Sequence, residues 1–271
     1  MTTEADLVAL RQALTECSPI VVACSGGIDS LVLATVAHRL DPEHTIVAHT
    51  VTPAVPPDGT ERVRNHAHRE GWTLRIVESR EFGDERYLSN PTDRCYFCKS
   101  NLYDAIDEIV AEFSSPEATV VSGANVDDLG EYRPGLVAAA EHGVRHPYVD
   151  AGIDKERIRA IARVLDLDEA ELPASPCLAS RLYTGTRVTP TRLAAVHAGE
   201  ESLRAAGFRI VRCRRRDNVV WIELPDTDRP RISQDIIDRA AAAMQAVDPE
   251  IAAVELDSRP YRPGRAVIAT S

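Results

Sequence analysis

Residues Ser25-Gly26-Gly27-Ile28-Asp29-Ser30 stand between two apolar runs, Ile20-Val21-Val22-Ala23-Cys24 and Leu31-Val32-Leu33-Ala34-Thr35-Val36-Ala37. The order reads as a buried strand, a tight glycine turn and a helix. Ile28, Leu31, Val32, Val36 and Leu40 recur at helical spacing. Two adjacent glycines let the backbone take dihedrals that other residues resist and come close to a ligand. The N–H groups at the helix start point into the turn. Together with the helix dipole they form a seat for an anion, most simply a phosphate. Ser25 and Ser30 add hydroxyl donors. No Gly-Lys-Ser/Thr follows, so this is not a Walker A loop. The third glycine of the dinucleotide fingerprint is missing too.

The six residues resemble the SGGxDS PP-loop of the ATP pyrophosphatases. That resemblance implies cleavage of ATP between its α- and β-phosphates and transfer of AMP to a substrate oxygen. Mg²⁺ bridging the phosphates would reduce repulsion during attack. Asp29 is the nearest side chain to help hold it, directly or through water.

The 271 residues suit one large domain, or a medium domain with a small one. No signal peptide and no long apolar stretch is seen, which predicts a soluble, cytoplasmic protein without a membrane partner. The net charge of −11 argues against a general nucleic-acid binder, which needs a basic surface. Lysine occurs only at Lys99 and Lys155. Six cysteines in such a chain do not suggest a disulfide framework. Cys17, Cys24 and Cys213 sit in apolar runs and read as small core residues.

Outward from the loop, Thr3 to Glu16 predicts a leading helix. Thr45 to Val51 predicts a second strand, parallel to the first through a right-handed crossover. In an open α/β sheet the ligand lies at the carboxyl ends of such strands, so His49, Thr50 and Val51 are expected to border a nucleotide. A polar helix over Asp58–Gly71 and a strand over Trp72–Glu78 follow. Ser79 to Arg94 is a long irregular segment, of a length that is usually functional or mobile. A helix from Cys98 to Phe113, a strand over Ala118–Ser122 and a loop through Gly123, Asn125 and Asp127–Gly135 come next. That acidic loop, with Arg133, is expected to face the nucleotide. His146-Pro147-Tyr148-Val149 reads as a short strand, and Lys155–Leu165 as a helix capped by Asp154.

A break at Pro173–Pro176 leads through Cys177 into a different pattern. Helix (Leu193–Ala206), strand (Arg209–Arg214), turn at Asp217-Asn218, strand (Val219–Leu224), helix (Ile232–Val247) and strand (Ile251–Leu256) succeed one another. The expected fold is α/β: a Rossmann-like parallel sheet over residues 1–185 with a smaller C-terminal α+β domain over 186–271.

Cys95, Cys98 and Cys177 fall in polar, irregular connections. Cys95-Tyr96-Phe97-Cys98 is a C-x-x-C at a helix start, a place that favours thiolates. With one distant cysteine it could hold a metal or an iron–sulfur cluster with one iron lacking a protein ligand. A structural zinc would need a fourth ligand. A redox dithiol stays open. A PP-loop with reactive cysteines points to sulfur transfer: ATP turns an oxygen of the substrate into an adenylate, and a sulfur nucleophile displaces AMP.

Five stretches together carry a closer resemblance. They are Ser25–Ser30, Asn90-Pro91-Thr92-Asp93-Arg94-Cys95-Tyr96-Phe97-Cys98-Lys99, Asp128-Leu129-Gly130-Glu131-Tyr132-Arg133-Pro134-Gly135-Leu136, Ala151-Gly152-Ile153-Asp154-Lys155 and Cys177-Leu178-Ala179-Ser180-Arg181. In this order they resemble the ATP-dependent sacrificial sulfur transferases, the LarE family, over nearly the whole chain. The resemblance implies an adenine nucleotide α-hydrolase-like fold and a role in building the nickel-pincer nucleotide of lactate racemase. The substrate implied is pyridinium biscarboxylic acid mononucleotide, whose carboxylates become thiocarboxylates.

In single-cysteine members the residue matching Cys177 attacks the acyl-adenylate and loses its sulfur, leaving dehydroalanine. This chain departs from them by also having Cys95 and Cys98. For three-cysteine members the resemblance implies a cubane iron–sulfur cluster on Cys95, Cys98 and Cys177, whose open iron carries an extra sulfide. Ser180 and Arg181 are then expected beside the reacting group. Arg212 and Arg214, which alternate along one strand, are expected to bind the substrate phosphate, with Glu200 as a further substrate contact. Ser25, Gly26, Gly27, Asp29, Ser30, Thr50, Gly123, Asn125 and Arg133 are the expected ATP contacts. A trimer-based homo-oligomer is also implied.

Three other readings compete. A tRNA thiolase of the same fold would use the same loop and cysteines, but the acidic balance speaks against it. An amide-forming ligase of the NAD or GMP synthetase kind leaves the three cysteines unexplained. A nucleotide-sensing module would bind ATP without releasing pyrophosphate.

Overall fold

Val21 and Val22 are both fully buried, yet they enter different apolar clusters. That is the mark of a strand covered on both faces, and it explains why the run before the glycine turn shows no alternation. The computed structural model of the chain describes residues 2–112, 118–130, 133–173 and 176–266. Its contacts define two units, 1–81 with 95–175, and 82–94 with 176–271.

The first unit begins with α1 (Thr3–Thr15), whose first turn is capped by Thr2 Oγ1 accepting from Ala5 N. β1 (Ile20–Ala23), α2 (Ile28–Leu40), β2 (Thr45–Thr50), α3 (Pro57–Glu70) and β3 (Thr73–Val77) follow. The chain then leaves for the second unit, where it forms α4 (Glu85–Leu88). It returns as α5 (Arg94–Val110), then β4 (Thr119–Ser122), α6 (Pro134–Glu141), α7 (Pro147–Asp150) and α8 (Lys155–Val164).

The four strands form one parallel sheet in the order β3-β2-β1-β4. On one face Leu10, Leu14, Leu31, Ile158 and Ile161 pack on Ile20 and Val22. On the other, Tyr103, Ile106 and Ala139 pack on Val21 and Ala23. The connections run outward from β1 to β3, and the chain then crosses back to place β4 on the other side of β1. The crevice at the carboxyl ends of β1 and β4 is therefore the switch point of the sheet, where ligands bind in such folds.

In the second unit a 3-10 turn, Leu178–Arg181, leads to α9 (Pro190–Ala205), β5 (Arg212–Arg216), β6 (Val219–Glu223), α10 (Gln234–Val247) and β7 (Ala253–Leu256). The sheet order is β5-β6-β7; β5 and β6 are antiparallel, β6 and β7 parallel. Val196, Leu203, Phe208, Cys213, Ile222 and Met244 fill the space between this sheet and helices α9 and α10. The α/β architecture with a smaller second sheet matches the expected fold class.

Three local expectations change. His146-Pro147-Tyr148-Val149 is no strand. Proline sits at the first helical position and His146 O accepts from both Val149 N and Asp150 N, so the segment closes into α7. α5 starts at Arg94, not at Cys98, which puts both cysteines of the C-x-x-C in its first turn. β5 runs over Arg212–Arg216, not Arg209–Arg214. The two-residue turn at Asp217-Asn218 pairs Arg216 with Val219 and so fixes the register. Of the acidic loop, Glu131 and Tyr132 lie outside the described residues, as do Phe113 and residues 174–175. Among the described residues no helix is long and apolar enough to cross a membrane.

Candidate functional site

In the first unit β1 delivers the chain to Ser25, and α2 starts after Gly27. No side chain caps this helix, so its first N–H groups face the turn with the positive end of the dipole behind them. Gly26 has φ +78°, and a Cβ there would lie 2.4 Å from Gly59 O at the start of α3. Only glycine fits. Arg62 Nε donates to Gly26 O at 3.2 Å and braces the same point.

Hydroxyls tie the rest of the turn. Ser30 Oγ accepts from Ser25 N at 3.1 Å and donates to Gly27 O at 2.9 Å. Ser25 Oγ lies 3.2 Å from Ser30 Oγ. The loop is thus preformed, with Ser25 exposed and Gly27 partly exposed where a phosphate could approach.

β4 supplies the opposite wall of the switch-point crevice. Gly123 passes so close to α2 that a Cβ would meet Ser30 N at 3.0 Å and Asp29 C at 3.1 Å. Asn125 is fully buried; its Nδ2 reaches Asp29 Oδ2 at 3.4 Å, and its backbone N donates to Asp128 Oδ2 at 3.2 Å. Asp128 in turn pairs with Lys155 Nζ at 3.1 Å and Arg133 Nη1 at 2.9 Å.

Burial pushes the Asp29 carboxyl above its ordinary value; Lys155 opposes this and Asp128 adds to it. A divalent cation beside Asp29 would relieve that burial. Carboxylate oxygens and a glycine-lined cradle fit Mg²⁺-ATP. Ser25, Gly26, Gly27, Asp29, Ser30, Gly123, Asn125 and Arg133 therefore gather around one crevice.

Thr50 ends the neighbouring strand β2. Its Oγ1 is buried and finds no hydrogen-bond partner among the described residues. Next to it, His49 is locked in place. Nδ1 lies 2.8 Å from Cys24 O and Nε2 2.9 Å from Thr60 Oγ1. A carbonyl only accepts, so Nδ1 carries the proton and Nε2 accepts from the threonine hydroxyl. Burial pulls the His49 pKa down. Tyr148, fully buried on α7, donates from its hydroxyl to Asp29 O at 2.8 Å. No sequence signal marks Tyr148, which lies 119 residues from its partner.

In the second unit Cys177 opens the turn Leu178–Arg181 and is partly exposed. Arg181 is 1% exposed, and its Nη1 donates to Pro176 O at 2.7 Å, to Cys177 O at 3.3 Å and to Ser180 Oγ at 3.1 Å. Glu200 on α9 holds the other side of that guanidinium. Its carboxylate also accepts from Arg204 Nη2 at 2.8 Å and Cys213 N at 3.2 Å. With none of its surface exposed, Glu200 supports Arg181 rather than meeting a substrate.

Arg214 Nη1 donates to Ser180 O at 2.7 Å, and its Nε pairs with Glu223 at 3.1 Å. The Arg212 guanidinium lies over the Tyr261 ring, 5.4 Å from its centroid. Cys177, Ser180, Arg181, Glu200 and Arg214 thus form one assembly, with Arg212 two residues along the same strand face.

The remaining cysteines separate by environment. Cys17, Cys24 and Cys213 are buried, and burial pushes each thiol up, so none is a ready thiolate. Cys95 is exposed and Cys98 partly so, one turn apart at the start of α5.

No family model matches the chain. Among curated proteins it is 35% identical over 233 residues to an uncharacterized protein of Synechocystis, covering 86% of each. It is 31% identical over 267 residues to the pyridinium-3,5-bisthiocarboxylic acid mononucleotide synthase of Lactiplantibacillus plantarum, covering 97% of this chain and 93% of that protein. An uncharacterized protein of Methanocaldococcus jannaschii is 28% identical over 207 residues, 76% of this chain and 78% of the relative. A parallel sheet with an uncapped glycine loop at its switch point, and an identity of 31% from end to end, place the chain in the family of the pyridinium-3,5-bisthiocarboxylic acid mononucleotide synthases.

Proposed function

We propose that the chain is an ATP-dependent sulfur transferase that converts the carboxylates of pyridinium-3,5-biscarboxylic acid mononucleotide to thiocarboxylates, with release of AMP and pyrophosphate. The observation that carries the reading is the cradle of Gly26 and Gly123 around the uncapped start of α2, in a chain of this family.

A substrate carboxylate oxygen attacks the α-phosphorus of ATP, and the bond to the bridging oxygen of the β-phosphate breaks. Pyrophosphate leaves with its charge on the α2 N–H groups and the hydroxyls of Ser25 and Ser30. Mg²⁺, held with help from Asp29, would neutralise charge on the phosphates. Arg133 and Lys155, which share Asp128, are the cations for the same crevice.

The Cys177 thiolate then attacks the acyl carbon, and AMP departs. Removal of the Cys177 Cα proton breaks the Cβ–Sγ bond. The substrate keeps the sulfur as a thiocarboxylate, and the protein keeps dehydroalanine. Arg181 and Ser180 hold the backbone that presents the thiol. Arg212 and Arg214, both largely buried and Arg214 already bonded to Ser180 O and Glu223, would turn their remaining N–H groups to the phosphomonoester of the mononucleotide. A trimer-based assembly belongs to the same proposal.

A second sulfur source has its own support. Cys95 and Cys98 stand three residues apart in one helical turn, neither buried, a donor pair that fits two ligands of an iron–sulfur cluster. Such a cluster would supply sulfide and spare the Cys177 side chain.

Incubation with Mg²⁺-ATP and the biscarboxylate mononucleotide, followed by mass spectrometry of product and protein, tests both. Loss of the elements of H₂S from Cys177 supports sacrifice. An intact thiol in an iron-containing protein supports the cluster. Absence of any thiocarboxylate overturns the sulfur transferase reading.

A further inference from the structure

Asn90 has φ +56°, the left-handed region that asparagine tolerates better than most residues, and it is 1% exposed. A residue held this way persists where its surroundings over-determine it. Here they do. Asn90 Nδ2 donates to Tyr183 O and to Thr186 O, both at 2.8 Å. Its backbone O accepts from Gly185 N at 2.9 Å, and Leu88 O accepts from Val188 N at 2.9 Å. Its Oδ1 accepts from Arg94 Nη1 at 2.5 Å.

The same buried Nη1 donates onward to Ala179 O at 2.9 Å. Ala179 lies two residues past Cys177, inside the turn Leu178–Arg181. From the other side Arg181 holds Pro176 O and Cys177 O. With Ser180 O on Arg214, four backbone carbonyls around the thiol are therefore gripped by guanidiniums. Leu178, Ala179 and Leu182 are buried, yet they join none of the apolar core clusters. Hydrogen bonds to its carbonyls add to the burial of these side chains in fixing the loop. Burying an arginine and an asparagine is costly unless each is bonded, so the clamp is a specific arrangement and not filler.

We infer that Asn90 and Arg94 are positioning residues for sulfur delivery: acting through the carbonyls of Ala179, Tyr183 and Thr186, they fix the direction in which the Cys177 loop presents its sulfur. This rests on the proposed reading that the Cys177 loop serves sulfur transfer. Neither residue is asked to touch ATP or the reacting atoms. Loss of the clamp should therefore separate the two half-reactions. Misplacement of a reacting group by about 1 Å costs on the order of a hundredfold in rate.

The test is a single-turnover comparison of the full-length wild type with Arg94→Ala, Arg94→Lys and Asn90→Ala. Mg²⁺-ATP and pyridinium-3,5-biscarboxylic acid mononucleotide are supplied, and pyrophosphate and thiocarboxylate are followed separately. The expected result is pyrophosphate release at the wild-type rate and thiocarboxylate formation slowed roughly a hundredfold in Arg94→Ala and Asn90→Ala, with partial recovery in Arg94→Lys. Should Arg94→Ala fail to fold, the split between half-reactions in Asn90→Ala and Arg94→Lys decides. Equal loss of both half-reactions, or thiocarboxylate formation at the wild-type rate, overturns the inference. A wild type that releases no pyrophosphate overturns the sulfur transferase reading instead.

Discussion

Arg181 and Glu200 face each other fork to fork in the second unit, Nε to Oε1 at 2.8 Å and Nη2 to Oε2 at 2.9 Å, both side chains out of reach of water. Such a pair is not a large net gain in stability over an apolar core. Its use here is geometric, because the guanidinium it orients holds the backbone on either side of Cys177. Glu200→Ala leaves Arg181 charged and buried without its counter-ion and should cost about 3–5 kcal/mol in denaturant unfolding.

The same pair gives a pH dependence of known sign. Burial acts to raise the Glu200 pKa, but the hydrogen bond and charge of Arg181, with Arg212 and Arg204, bring it below the ordinary value of 4.5. The folded chain therefore holds this proton less tightly than the unfolded chain. Its contribution is complete above pH 4.5 and is lost as pH falls toward the folded value. Glu200→Gln should flatten the acid limb of the unfolding curve; an unchanged acid limb would refute the assignment.

His49 predicts a second window. Its folded pKa lies below 6.5, because burial disfavours the charged ring. The unfolded chain takes up the proton first, so stability present above pH 6.5 falls as pH drops below that value. His146, also held down by burial, adds to the same trend. Melting temperatures of His49→Gln between neutral and mildly acid pH should vary less than those of the wild type.

Gly26→Ala should weaken nucleotide binding. The left-handed backbone costs a side-chain-bearing residue roughly 1–2 kcal/mol. A Cβ 2.4 Å from Gly59 O forces the turn away from α3 as well. Calorimetric titration with Mg²⁺-ATP should show at least a tenfold weaker complex, about 1.4 kcal/mol, in a protein that still unfolds cooperatively.

Much of the first unit was legible because its signals are local. The strand, the glycine turn and the helix lie within some twenty residues, and the glycine pair marks the turn in the pattern alone, although the close approach of Gly26 to Gly59 O does not show there. Gly123 shows no such mark by itself; its role comes from lying so close to α2 that a Cβ would meet Ser30 N at 3.0 Å, an approach made only once β4 lies beside β1.

The second site was harder to read. Cys177, Ser180 and Arg181 adjoin in sequence, but Glu200 looks like any charged residue of a surface helix until the fold buries it. Residues 82–94 read as an irregular connection, and no periodicity reveals that they pack with 176–266. His146–Val149 misled because apolar residues in a run of four suit either a strand or a helical turn.

Cys95→Ser and Cys98→Ser bear on the second sulfur source. If the cluster reading holds, anaerobically purified wild type carries iron and acid-labile sulfide, and each variant loses both while unfolding like the wild type. Equal iron in wild type and variants would remove that reading and leave Cys177 as the donor.

The central claim is that the Ser25–Ser30 loop seats the outer phosphates of ATP so that a carboxylate attacks the α-phosphorus. Phosphorus NMR of the nucleotide products, with Cys177→Ser in place of the wild type to stop the reaction before sulfur transfer, measures this directly. The account predicts pyrophosphate and an acyl-adenylate that hydrolyses to AMP, both dependent on the pyridinium biscarboxylate. Formation of ADP and orthophosphate, or no cleavage of ATP at all, would contradict it.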